Sequence, residues 1–137
     1  MIDVKAVRTV VAEALRPAGL TVYPEAPFGA VNLPCVIVGM PAWRAQAEPG
    51  LDRWDLPVVV AVAIPSAEPT SAVTGLDAAW PRIVEALRRL CADDPSLGGL
   101  CCDSAVESAA FGTVNIGKAG AGYPAYHINL KLFDLGE

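Results

Sequence analysis

A chain of 137 residues, 53% apolar and 18% charged, with a net charge of -5, suits one domain that buries roughly two-thirds of the surface its unfolded form exposes. The acidic balance and dispersed basic residues exclude a surface built to grip a phosphate backbone, which needs clustered Lys and Arg. No apolar run reaches the roughly 18 to 20 residues that span a bilayer, and Met1 to Leu20 lacks a basic segment feeding an apolar one and a cleavage site, so the expectation is a protein that stays in the cytoplasm where it is made.

Met1 to Arg16 places Val4, Val7, Val11, Ala14 and Leu15 on one helical stripe, with Lys5, Arg8, Glu13 and Arg16 mostly elsewhere. Asp3 caps its start, and Pro17 with Gly19 stops it. Leu20 to Tyr23 is a short β-type run ended by Pro24. A loop through Pro27, Phe28 and Gly29 leads to a second strand at Pro34 to Gly39. From Met40 to Asp52 the residues turn small and polar around Trp43, Arg44 and Gln46. Pro49 and Gly50 make a turn, so Ala42 to Ala47 pairs as a hairpin with the strand that follows.

That strand, Trp54 to Ile64, is the longest unbroken apolar and β-branched run in the chain. Alternation puts Trp54, Leu56, Val58, Val60, Val62 and Ile64 on one face. The other carries Pro57, Val59, Ala61 and Ala63 with no charge beyond Asp55, so both faces call for cover. Ser66 to Ser71 is a loop. Thr74 with Asp77 resembles a capping box, and Leu76, Trp80, Ile83, Val84, Leu87, Leu90 and Cys91 recur at helical spacing. Pro81 either kinks this helix or occupies a first-turn position; in both cases Trp80 and Ile83 face the sheet. Asp93, Asp94, Pro95, Gly98 and Gly99 end it.

The last third is a long antiparallel hairpin, Ala105 to Ile116 and Tyr123 to Phe133, around the loop Gly117 to Gly122. In its second arm Tyr126, Ile128, Leu130 and Leu132 share one face and His127, Asn129 and Lys131 the other. The expected fold is α+β, a single domain over residues 1–137. It has a mostly antiparallel sheet with two helices packed on one face and a long C-terminal β-hairpin. Two helices cover one side of such a sheet. The second face of Trp54 to Ile64 is then left to another subunit, each buried aliphatic side chain there contributing on the order of 1.5 to 3 kcal/mol. Self-association follows as the first functional expectation, with a closed ring as the usual outcome of a head-to-tail contact.

Residue chemistry points to no catalytic group, cofactor or metal. Cys35, Cys91, Cys101 and Cys102 lack ligand spacing, and the sole histidine, His127, lies far from them. They read as free thiols in a reducing compartment. The loop GKAGAG precedes a strand and lacks P-loop spacing, which makes Lys118 part of a hairpin tip. His127 has no orienting partner in sequence and reads as a solvated or interface residue. Asp93 and Asp94 form a polar helix end. The adjacent Arg88 and Arg89 read as a solvated helix edge. Trp43, Trp54 and Phe111 are core candidates, with Trp43 the one to move toward an interface because it sits in a loop.

The layout resembles the tail terminator (tail completion) proteins of tailed bacteriophages, of the lambda-terminator type. The pieces that carry the resemblance are AEALRPAGLTVYPEAP (Ala12 to Pro27), LPCVIVGMP (Leu33 to Pro41), the central strand, TGLDAAWPRIVEALRRL (Thr74 to Leu90) and GYPAYHINLKL (Gly122 to Leu132). Together they span nearly the whole chain. Pro81 and the Cys101–Cys102 pair depart from the pattern. The resemblance implies a structural virion protein without catalytic residues. It forms a ring, commonly a hexamer, at the head-proximal end of the tail tube, ends tube polymerisation and joins the tail to the head connector. Its implied partners are further copies of itself, the major tail tube protein and a head–tail connector or neck protein, with DNA passing through the lumen without specific binding and no membrane. Pro57, Val59, Ala61, Ala63 and Trp43 are the oligomer-interface candidates; Phe28, Arg44, Lys118 and Gly120 are the candidates for tube or neck contact. Another neck or head-completion protein is the near alternative, and a small enzyme or ligand-binding α+β domain the distant one.

Overall fold

The computed structural model describes residues 2–25, 31–44, 50–62, 69–116 and 121–135. Helix α1 (Val4–Leu15) starts at Asp3, whose carboxylate accepts from the Ala6 N–H at 3.1 Å, an N-cap of the expected kind. It buries Val7, Val11, Ala12 and Leu15 and ends in a 3-10 turn at Arg16–Ala18 that contains Pro17. Strands β1 (Thr21–Tyr23), β2 (Cys35–Val38), β3 (Ala42–Arg44) and β4 (Leu51–Ala61) follow. Helix α2 (Pro69–Asp93) and the hairpin β5 (Asp103–Ile116) and β6 (Ala121–Leu135) complete the chain. The protein is α+β: the strands form a six-stranded sheet in the order β1-β2-β4-β6-β5, with β3 also paired to β4. Among the described residues only β1 and β2 pair in parallel.

The central strand starts earlier than alternation alone suggests. Its ladder with β6 opens at Leu51 opposite Leu135 and ends at Ala61 opposite Ala125. Helix α2 likewise begins at Pro69, so Thr74 lies inside the helix and the capping-box reading of Thr74 and Asp77 does not hold. A proline suits a first turn because its missing N–H has no intrahelical acceptor there. The helix continues through Pro81. Its neighbours face the sheet as expected: Ile83 is fully buried, and Trp80 stacks on Tyr126 with ring centroids 4.5 Å apart.

Both helices lie on the face formed by the even residues of β4. Trp54, Leu56, Val58 and Val60, together with Ile128, Leu130 and Leu132 of β6, pack against Val7, Val11 and Leu15 of α1 and Leu76, Ile83 and Leu87 of α2 in one core. The odd residues of β4 point to the opposite face, which no helix among the described residues covers.

Candidate assembly surface

The helix-free face divides into two halves. At one end the sequence R-W-D sets Arg53 and Asp55 on the same side of β4, and the register adds side chains from three other strands. Arg53 donates to Asp55 through Nε at 3.2 Å and Nη2 at 3.0 Å, and its Nη2 also donates to Glu107. The Asn129 amide of β6 bridges the same two carboxylates, at 3.1 Å to Asp55 and 2.7 Å to Glu107. Arg44 of β3 closes the group on the second oxygen of Asp55. Glu107 reaches it because a bulge between Val106 and Ser108 lets two residues of β5 oppose Asn129.

Burial alone would raise the pKa of Asp55, but the hydrogen bonds from Asn129 and Arg53 outweigh it and hold the carboxyl below its ordinary value. Bonds from Arg53 and Asn129 lower that of Glu107 in the same direction. Acid–base chemistry by a carboxylate pair needs environments that push the two groups apart. Here both stay ionised, and the group acts as an electrostatic brace across β3, β4, β6 and β5. A shallow dish of about 450 Å³ lies over it, walled by Met40, Arg44 and Glu107 and floored by Pro57 and Asn129.

At the other end the face is apolar and, contrary to expectation, the chain covers part of it itself. Cys35, Ile37, Ala61, Ala125 and Ile116 are buried in a second cluster, with Val59, Tyr23, Leu33, Val114 and Tyr123 packed half-buried against it. β2 supplies Cys35 opposite Ala61 and Ile37 opposite Val59. The far end of the β5–β6 hairpin extends past the end of β4 and supplies Val114, Ile116 and Tyr123 to the same cluster. Ala61 is therefore core and Val59 is half core. Of the proposed interface residues on this strand only Pro57 is exposed. Ala63, Phe28, Lys118 and Gly120 lie outside the described residues.

Pro57 is tolerated mid-sheet because the neighbouring lane breaks beside it. Between β2 and β3 the Gly39 N–H donates to the Pro57 carbonyl at 2.7 Å, so the missing Pro57 N–H falls where the lane changes from β2 to β3. A Cβ on Gly39 would stand 2.7 Å from Pro57 Cγ and 3.1 Å from its oxygen. Only glycine allows that approach.

Large apolar side chains are exposed at Met40 (63%) between β2 and β3, Trp43 (55%) on β3, Phe111 (58%) on β5 and Leu135 (66%) at the end of β6. Trp43 is exposed, but it stands in strand β3 opposite Trp54 and not in a loop. Phe111 does not belong to the core. It sits on the helix side of β5 and makes an edge contact with Tyr126 at 6.0 Å, and its remaining surface faces solvent. His127, on the helix-free side, is tied to the same strand: its Nε2 hydrogen-bonds the Thr113 carbonyl at 2.9 Å, and the ring lies against Gly112, where a Cβ would come within 3.1 Å.

Cys102 is exposed, whereas Cys35, Cys91 and Cys101 are buried, and burial pushes the thiols of Cys35 and Cys101 up to about 11. On the helix layer an open apolar groove of about 530 Å³ runs between Pro17 and Pro81, rimmed by Arg82 and Arg89. Among the described residues no group of three or more His, Cys, Asp or Glu side chains is placed to hold a metal, and no helix is long and apolar enough to cross a membrane.

Sequence reasoning missed the brace. The i, i+2 spacing of Arg53 and Asp55 on a strand was a signal for its first half; nothing local announces Glu107 or Asn129, which join through register and a bulge.

No family model matches the chain, and neither does any curated protein.

Proposed function

We propose that the protein is a structural ring-former of the phage tail-terminator type, capping the head-proximal end of a tail tube and presenting a surface to the head connector. The observation that carries this reading is the placement of the exposed apolar side chains. Trp43 on β3 and Phe111 on β5 stand exposed toward the two sides of one sheet, and Met40 and Leu135 are exposed beside it, an amount of large apolar surface that fits contact with another molecule. The dish on the sheet favours the same reading, because its two carboxylates are spent on arginine and asparagine partners. The resemblance in layout supplies the position in the particle.

Sedimentation velocity of the pure protein, with electron microscopy of tubes assembled from a phage major tail tube protein in its presence, tests the reading. Discrete rings, free or seated on one end of tubes of limited length, are the expected result. A protein that stays a monomer or dimer and leaves tube length unchanged would overturn it. Rings that bind the head connector and ignore tube ends would assign the chain to the neck instead.

A further inference from the structure

β5 is the last strand in the order β1-β2-β4-β6-β5, with β6 on one side of it. Ser108 to Phe111 are exposed in unbroken succession. Successive side chains of a strand point to opposite faces, so this stretch meets solvent on both. In an antiparallel ladder the N–H and C=O of successive residues also point alternately to the two sides, and one bond fixes which residues face outward. Val62 N–H donates to the Pro124 carbonyl at 3.2 Å, so the even residues of β6 bond toward β4. Ala109, opposite Ile128, and Phe111, opposite Tyr126, therefore turn their backbone groups away from β6. Thr113, opposite Pro124, does the same, but its carbonyl is already held by His127. Among the described residues, Ala109 and Phe111 keep both donor and acceptor open to a partner strand.

This edge matches a second copy of itself. From Ser108 to Ile116 it carries no charge and no proline, the residues that edge strands use to resist pairing. Copies with a net charge of -5 repel one another as whole bodies, and an uncharged edge is where they can approach; a charged partner finds no counter-charge there. The nearest charge, Glu107, is held by Arg53 and Asn129 of its own copy. A two-fold axis perpendicular to the sheet at Ala110 lays β5 of one copy antiparallel against β5 of the other, with the helices of both on one face. Ala109 of each copy then exchanges both backbone bonds with Phe111 of the other. On the helix-free face Ala110 meets Ala110 and Ser108 meets Gly112, so small side chains line the seam. On the helix-bearing face the two Phe111 stand diagonally with Cα atoms about 7–8 Å apart, a separation that aromatic side chains span, and Ala109 leaves them room. The aromatic row Trp80, Tyr126 and Phe111, with centroids 4.5 Å and 6.0 Å apart, continues across the axis into the same row of the second copy.

We infer that two copies of this protein pair edge to edge through β5, antiparallel about a two-fold axis at Ala110, with Phe111 of each copy opposite Ala109 of the other. The contact is isologous and closes at two copies. It goes beyond the ring reading and does not rest on it, because it uses one edge of the sheet and leaves the other surfaces of each copy to other contacts.

The test starts from Ala110→Cys and Phe111→Cys, each in a Cys102→Ser background, oxidised mildly and separately. A non-hydrogen-bonded antiparallel pair holds its Cα atoms about 4.5 Å apart, inside the roughly 4.4–6.8 Å range of disulfides, whereas the diagonal Phe111 positions lie beyond it. Rapid covalent dimer from Ala110→Cys, with little from Phe111→Cys, is the expected result. Two further variants are read by sedimentation velocity over a concentration series. Ala109→Pro removes an outward N–H that β6 does not use, and Phe111→Lys brings like charges together across the axis. Each is expected to leave the melting temperature unchanged and to raise the dissociation constant of the pair at least about tenfold. Faster dimers from Phe111→Cys than from Ala110→Cys would overturn the axis at Ala110. No covalent dimer from either cysteine variant, or a folded Phe111→Lys protein that associates as the wild type does, would overturn the pairing.

Discussion

Replacing Gly39 by alanine puts a methyl group where Pro57 already stands, 2.7 Å from its Cγ and 3.1 Å from its carbonyl oxygen. The proline ring cannot swing away, because β6 holds Pro57 in register opposite Asn129. Relief must come from the backbone between β2 and β3, at the expense of the Gly39 N–H bond to Pro57 at 2.7 Å. Overpacking of this kind costs about 1–3 kcal/mol and a lost backbone bond about 1 kcal/mol. The expected destabilisation of about 2–4 kcal/mol lowers the melting temperature by about 8–16 °C in a domain of this size. Pro57→Ala alone removes the Cγ and restores an N–H, so its expected cost is below about 1 kcal/mol, mostly from the freer unfolded chain. The double variant keeps the close carbonyl but not the ring, and is expected to recover about 1 kcal/mol of coupling. Thermal melts by circular dichroism and urea midpoints read all three. A Gly39→Ala melt within about 2 °C of wild type, or a double variant no better than the sum of the singles, would refute the account of how β2 hands over to β3.

The brace makes stability depend on acid. Asp55 and Glu107 have folded pKa values below their ordinary ones, so their stabilisation is present above the unfolded value of about 4 and is lost as pH falls through the folded values. The melting temperature should change little from pH 7 to 5 and drop below about pH 4, with a shallower drop in Asp55→Asn. Val59→Asp places a charge in the second apolar cluster beside Ile37. It should lower fold stability by about 2–4 kcal/mol, measured by urea unfolding, and an unchanged midpoint would show that this half of the sheet is not packed. With an aromatic disulfide reagent at neutral pH, Cys102 should react at once and the buried Cys35, Cys91 and Cys101 only on unfolding; fast release from more than one thiol would contradict their burial.

The helix stripe Val7, Val11 and Leu15, the even residues of β4 and the face Tyr126, Ile128, Leu130 and Leu132 were all legible in the sequence. Each rests on local periodicity, and a period of 3.6 or 2 decides which side chains share a face before any partner is known. The element order and the α+β class follow from the same signal. What covers a face depends on strand order and lateral reach, which periodicity does not carry. Phe111 reads as a core candidate, yet it stands on the last strand of the sheet and 58% of it meets solvent. Val59 and Ala61 lack a helix, and their cover comes from β2 and from the hairpin end reaching past β4. Glu107 joins Arg53 and Asn129 only because a bulge shifts the register of β5 by one residue. By itself the sequence determined which residues turn together. The tertiary structure decided which of those faces are closed by the chain's own strands and which rims are left open, because closure is a long-range contact set by register, and register is fixed only when strands distant in sequence meet.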